Sequence, residues 1–140
     1  MTLHITDHRD GFPDGQTIVT RYDDAEDNTR IALAVLRVAG GEVVKLTTEL
    51  ETAWLLMSGR VHGSVSGTEF TLERSSLFDE SSSCIHVSTN TEVEIHCDSD
   101  SEFTVYSCDN TREFEARIYR PEDVANEPRG KGQVDRKSVV

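Results

Sequence analysis

The chain has 140 residues, 36% of them apolar and 29% charged, which suits one folded domain with its own core and excludes a disordered segment. Its 26 acidic residues outweigh 14 basic ones, for a formal net charge of −12. That sign argues against nucleic acid or an anionic membrane as the partner.

Thr17 to Thr20 and Ile31 to Val38 are the first predicted strands, separated by the acidic loop Asp23-Asp24-Ala25-Glu26-Asp27-Asn28. Gly40-Gly41 makes a turn, and Glu42 to Leu46 a short strand. Thr52 to Ser58 is apolar enough to be covered on both faces. After Gly59, Arg60 to Val65 and Thr68 to Leu72 flank Ser66-Gly67, a two-residue hairpin signal. Ser83 to Ser88 and Thr91 to Cys97 flank Thr89-Asn90, which predicts a second hairpin. Glu102 to Cys108 and Glu115 to Tyr119 complete the set. Strands recurring every 8 to 12 residues or so point to an all-β sandwich or barrel. Pro121-Glu122-Asp123-Val124 predicts a helical turn with Pro at an early position. From Ala125 the chain is polar, and seven of its basic residues lie between Arg112 and Lys137. The expected organisation is a barrel over 1–120 and a mostly irregular C-terminal strap or linker over 121–140.

No apolar run reaches the roughly 18 residues of a membrane span. Met1-Thr2-Leu3-His4 lacks the basic start and apolar stretch of a signal peptide. Cys84, Cys97 and Cys108 are widely spaced and odd in number, a poor disulfide framework, so a reducing cytoplasm is the expected compartment.

One spacing carries chemical meaning. Jelly-roll barrels of the cupin type use G-x5-H-x-H-x3-E-x6-G, in which two His on alternate strand positions and a Glu form an open metal site. Laid between Gly40 and Gly59, the ligand positions fall on Leu46, Thr48 and Thr52, none of which binds a metal well. No metal ligand is therefore expected in this chain. His86 is the histidine of most interest. A hairpin about Thr89-Asn90 sets Cys84 and His86 opposite Ile95 and Val93, which aims His86 into the barrel where a ligand would sit. A satisfied core histidine is the plainer reading. Trp54, the only tryptophan, is either core packing or a sugar-stacking platform, and packing is favoured. His62 and His96 read as surface strand residues, and the cysteines as buried and inert.

The second half carries a connected pattern. It comprises Gly67, Glu69-Phe70-Thr71-Leu72, Arg74-Ser75-Ser76-Leu77-Phe78-Asp79, Ile85-His86-Val87-Ser88 and Thr91-Glu92-Val93-Glu94-Ile95. Arg129-Gly130-Lys131-Gly132 and Arg136-Lys137-Ser138-Val139 follow in the tail. From about Arg30 onward the chain resembles the 5-deoxy-glucuronate isomerases of myo-inositol catabolism, relatives of the 5-keto-4-deoxyuronate isomerases of pectin breakdown. The resemblance implies a cupin jelly roll and the aldose–ketose isomerisation of a sugar acid. Members of that family look like double cupins of about twice this length. Their metal-binding His-x-His and Glu lie in the second cupin, after the Arg-Gly-x-Gly linker. The chain matches the metal-free first barrel, so no catalytic residue carries over and a divalent metal is expected only in the second. Ligand-contact candidates are His86, Trp54, Arg129 and Arg136. The two arginines could grip a carboxylate bidentately or pin the linker in place. Expected partners are a sugar acid and a second barrel, in the same chain or in a homo-oligomer. The alternative function is a stand-alone, non-catalytic binding or assembly module.

Overall fold

A computed structural model describes residues 7–26, 29–129 and 136–139, and the side chains of 7–26 and 29–125. Eleven strands are seen among these residues: β1 (Gly15–Thr20), β2 (Ala32–Val38), β3 (Val43–Thr47), β4 (Glu51–Val65), β5 (Thr68–Arg74), β6 (Cys84–Val87), β7 (Glu92–Cys97), β8 (Ser101–Cys108), β9 (Arg117–Tyr119), β10 (Asn126–Arg129) and β11 (Arg136–Val139). Pro121–Asp123 forms the expected helical turn, a single 3-10 turn with the Arg120 amide donating to Asp123 Oδ2 at 3.0 Å. Among the described residues no helix is long and apolar enough to cross a membrane.

The all-β expectation holds. One sheet runs β1-β2-β8-β4-β6-β9 and a second runs β3-β7-β4-β5, every pair antiparallel. β4 belongs to both. Its first half pairs with β8 and β6, and its second half with β7 and β5. The sequence suggested two strands broken at Gly59; the structure has one strand of 15 residues, bent there. Gly59 adopts φ +116°, and a Cβ at this position would stand 2.2 Å from Ser101 Oγ. Only glycine tolerates both that dihedral and that approach.

The hairpin at Ser66-Gly67 is present, with Val65 opposite Thr68 and both turn residues at positive φ, as a two-residue turn requires. The second predicted hairpin is not. β6 pairs with β4 and β9, whereas β7 pairs with β3 and β4. Thr89-Asn90 is a crossover between sheets, held by Asn90 N donating to Thr48 O (2.7 Å) and Thr89 Oγ1 donating to Glu49 O (2.8 Å).

Alternate residues of each strand fill the space between the sheets, as the period of two demands. Leu56, Val61, Ile85, Val87, Ile95 and Phe103 are fully buried there, with Trp54, Val93 and Cys97 beside them. The two outer faces differ. That of the second sheet is polar, with Lys45, Arg60, His62, Ser64, Glu69, Thr71, Glu73, Glu94 and His96 outward. That of the first carries apolar rows in register: Val35, Thr104, Leu55, Cys84 and Tyr119, then Leu33, Tyr106, Ala53 and His86. Most of these residues are half-buried and Val35 is buried. β10 and β11 form a separate antiparallel pair with Arg129 opposite Arg136.

Candidate functional site

The three positions where a cupin would place its metal do not form a metal site. Leu46 is apolar. Thr48 Oγ1 donates to Ser88 O at 2.7 Å, and Thr52 Oγ1 to Leu50 O at 2.9 Å, so both hydroxyls are committed to backbone carbonyls. The residues present do not fit the metal of the resembled family.

The crossover at Thr89-Asn90 overturns the predicted orientation of His86. Ile85 and Val87 are the inward residues of β6, so Cys84 and His86 point outward from the first sheet. There His86 Nε2 lies 2.8 Å from Glu51 Oε1, and its ring is 4.8 Å from that of Phe114, tilted at 46°. Glu51 Oε2 accepts from Asn110 Nδ2 at 2.9 Å and from Cys108 Sγ at 3.2 Å. A mostly apolar cavity of about 150 Å³ opens beside them, lined by Ile31, Ala53, Tyr106 and Ser107 with Glu51, His86 and Cys108. His86 is therefore a satisfied, half-buried residue on an outer sheet face.

The hydrogen bonds from Asn110 and then His86 hold the Glu51 carboxyl below the ordinary 4.5. A carboxylate whose folded pKa is depressed adds stability above its unfolded value and loses it as pH falls through the folded one. The stability advantage of the wild type over Glu51→Gln should thus be full at neutral pH and shrink progressively below about pH 4.5. Denaturant unfolding of both proteins between pH 7 and pH 3 measures it, and an advantage that grows on acidification would contradict the assignment.

Trp54 is 3% exposed and belongs to the inner core, beside Ile85 and Val105. It presents no face on which a sugar could stack. The backbones of Arg129 and Arg136 face one another in β10 and β11, while their side chains, like Gly130 to Gln133, lie outside the described residues. Among those residues no three His, Cys, Asp or Glu side chains converge on a metal position. Cys97 is buried, and Cys84 and Cys108 are half-buried. Burial pushes all three thiols up, that of Cys84 to about 11, which makes them poor nucleophiles.

The motif at Arg74 is a clamp. Arg74 is 8% exposed and donates to the carbonyls of Leu56 (3.0 Å), Leu77 (3.2 Å) and Glu80 (3.2 Å). The Ser75 amide and hydroxyl both bond the Glu80 carboxylate, and Ser76 Oγ donates to Asp79 Oδ2 at 2.9 Å. This network ties the loop after β5 to β4 and leaves Phe78 at its tip 95% exposed.

A second feature escaped the sequence. On the polar outer face His62 and His96 are direct cross-strand neighbours, their rings stacked with centroids 4.9 Å apart and planes 12° apart. They line a cleft of about 620 Å³ with Ser64, Glu69, Glu94 and Arg120. The two histidines are 34 positions apart, and only the β4–β7 register joins them.

Among functionally curated proteins none matches the chain. Among solved structures, an IolB-like protein from Salmonella typhimurium LT2 is similar at a TM-score of 0.79 and 22% identity, covering 91% of this chain and 50% of its own. The chain thus spans half the length of that protein. A cupin superfamily protein from Desulfitobacterium hafniense DCB-2 aligns at a TM-score of 0.52 and 11% identity, over 68% of this chain and 76% of its own. A cupin 2 domain-containing protein from Halorhodospira halophila gives 0.52 and 12%, over 76% and 68%. At these identities the likeness establishes a cupin-type barrel and nothing further. The model of the KduI/IolB family matches residues 4–139, almost the entire chain, and the chain belongs to that family.

Proposed function

We propose that this barrel is the metal-free, non-catalytic half of a sugar-acid isomerase, acting in cytoplasmic inositol catabolism on 5-deoxy-glucuronate. An aldose–ketose isomerisation moves a proton between adjacent carbons beside a polarised carbonyl. The observation that carries the reading is the content of the barrel: Leu46, Thr48 and Thr52 stand at the ligand positions, so nothing there polarises a carbonyl.

The role left to the barrel is assembly. Outer faces of antiparallel sheets are ordinarily polar, as that of the second sheet is. The apolar rows of Val35, Leu55, Ala53 and Tyr106 on the first sheet suit coverage by a second barrel. His86 and Glu51 would then lie at the seam. Half coverage of the Salmonella IolB-like protein leaves room in such a chain for that second barrel.

The test combines activity with association. The purified 140-residue chain, supplied with Zn²⁺ or Mn²⁺, is expected to show no isomerisation of 5-deoxy-glucuronate and to sediment as a dimer. Leu55→Asp and Tyr106→Asp should give folded monomers. Turnover by the chain alone would overturn the non-catalytic assignment, and a wild-type monomer at about 100 μM would overturn the docking face. The stand-alone binding module becomes the better reading if the open reading frame encodes no second, His-x-His-bearing barrel.

A further inference from the structure

The cleft on the polar face points to a ligand of its own. β4 and β7 set His62 and His96 directly opposite one another, which fixes their Cα atoms about 4.5–5.5 Å apart. Each ring is already held by a carboxylate. His62 Nδ1 lies 3.0 Å from Asp98 Oδ2, and His96 Nε2 lies 2.6 Å from Glu94 Oε1. Glu94 is steadied in turn by Lys45 Nζ at 3.7 Å. The remaining nitrogens, His62 Nε2 and His96 Nδ1, have no hydrogen-bond partner among the described residues. Both histidine side chains are partly exposed, at 49% and 37%, and so are their carboxylate partners, at 40% and 36%, so each ring and its carboxylate can turn together.

This is the arrangement of metal-binding histidines, in which one ring nitrogen is fixed by a carboxylate and the other presented to the ion. Imidazole selects zinc, nickel, copper and cobalt over magnesium and calcium. We infer that His62 and His96 form a surface site for one divalent transition-metal ion, with Asp98 and Glu94 as the positioning carboxylates. As the side chains stand they are stacked and do not yet converge; binding rotates the rings to bring one nitrogen of each to about 2.0–2.1 Å from the ion. Water fills the other positions, and the adjoining cleft keeps them open. The site is separate from the barrel interior and does not rest on the isomerase reading.

Titrating Ni²⁺ into the full chain by calorimetry, with the histidine ring signals followed by NMR, tests the proposal. One ion per chain should bind, and paramagnetic broadening should strike the His62 and His96 signals before that of His86. His62→Ala and His96→Ala should each remove the binding. Asp98→Asn, which keeps both ligands and alters only the support of one, should weaken it about 10-fold, at the lower end of such effects. Circular dichroism confirms that each variant is folded. Binding that survives in His96→Ala, broadening centred on His86 or on the N-terminal His4 and His8, or no binding at millimolar Ni²⁺ would each overturn the proposal.

Discussion

Gly63→Ala should destroy the barrel or destabilise it by at least about 4 kcal/mol, an exceptional cost for one methyl group. Gly63 lies in the second half of β4, flanked by β7 and β5, with Ile95 opposite on one side and Phe70 on the other. A Cβ there would meet Glu94 O at 1.9 Å, the Glu94 carbonyl carbon at 2.9 Å and Ile95 Cα at 3.1 Å. All three atoms are backbone in the middle of a sheet, so relief requires the β4–β7 ladder to part. A whole domain is stable by only about 5–15 kcal/mol. Gly41→Ala supplies the contrast. Gly41 has φ +92°, but a Cβ there meets nothing within 4 Å. That variant should lose about 1–2 kcal/mol, from backbone strain alone. Urea unfolding of both proteins measures the difference, and a Gly63→Ala barrel within about 1 kcal/mol of wild type would show that the strands do not approach this closely.

The next largest effect is expected at Trp54. Truncation to alanine should cost about 3–5 kcal/mol, the usual range for an aromatic residue lost from a core. For a domain of this size that lowers Tm by about 2–8 °C per kcal/mol. Trp54→Phe keeps a ring in place and should cost less. As the only tryptophan, Trp54 also reports on itself by fluorescence. Its emission should be that of a buried indole and should not respond to glucuronate, since 3% exposure leaves no surface for a sugar. A shift on adding sugar acid, or a Trp54→Ala protein as stable as wild type, would restore the binding role.

The local features of this chain were legible and the non-local ones were not. Ser66-Gly67 announces its hairpin because both turn residues adopt positive φ and the strands on either side are consecutive. Thr89-Asn90 gives a similar signal, since Asn90 also has positive φ (+60°), yet the strands it joins enter different sheets. A turn residue records how the chain bends; it does not record which strand lies alongside afterwards. That single error reversed the face of His86. The apolar composition of Thr52 to Ser58 suggested coverage on both faces; the structure buries Thr52, Trp54 and Leu56 on the inner face and leaves Ala53, Leu55 and Met57 only half-covered on the outer one. Glu51, the carboxylate partner of His86, lies 35 positions from it, and Asp98 lies 36 from His62. No spacing rule reaches that far. In the tail, the polar composition gave no period of two, and the β10–β11 pair was invisible in it.

The strand shared by both sheets has a consequence for how the protein is made. β4 begins at Glu51, and its partners β6, β7 and β8 end only at Cys108. At synthesis rates of about 5–20 residues per second, the leading end of β4 precedes the end of β8 by roughly 3–11 s. Until β6 is made, Trp54, Leu55, Leu56 and Met57 have only the β4–β5 hairpin and the strands before it as company, and their other flank stays open until β8 follows. Pairing on both sides of β4 waits for late sequence, so the nascent chain carries the apolar first half of that strand incompletely shielded while it is being made. A ribosome-associated chaperone would find its binding window there, and the window closes when β8 docks.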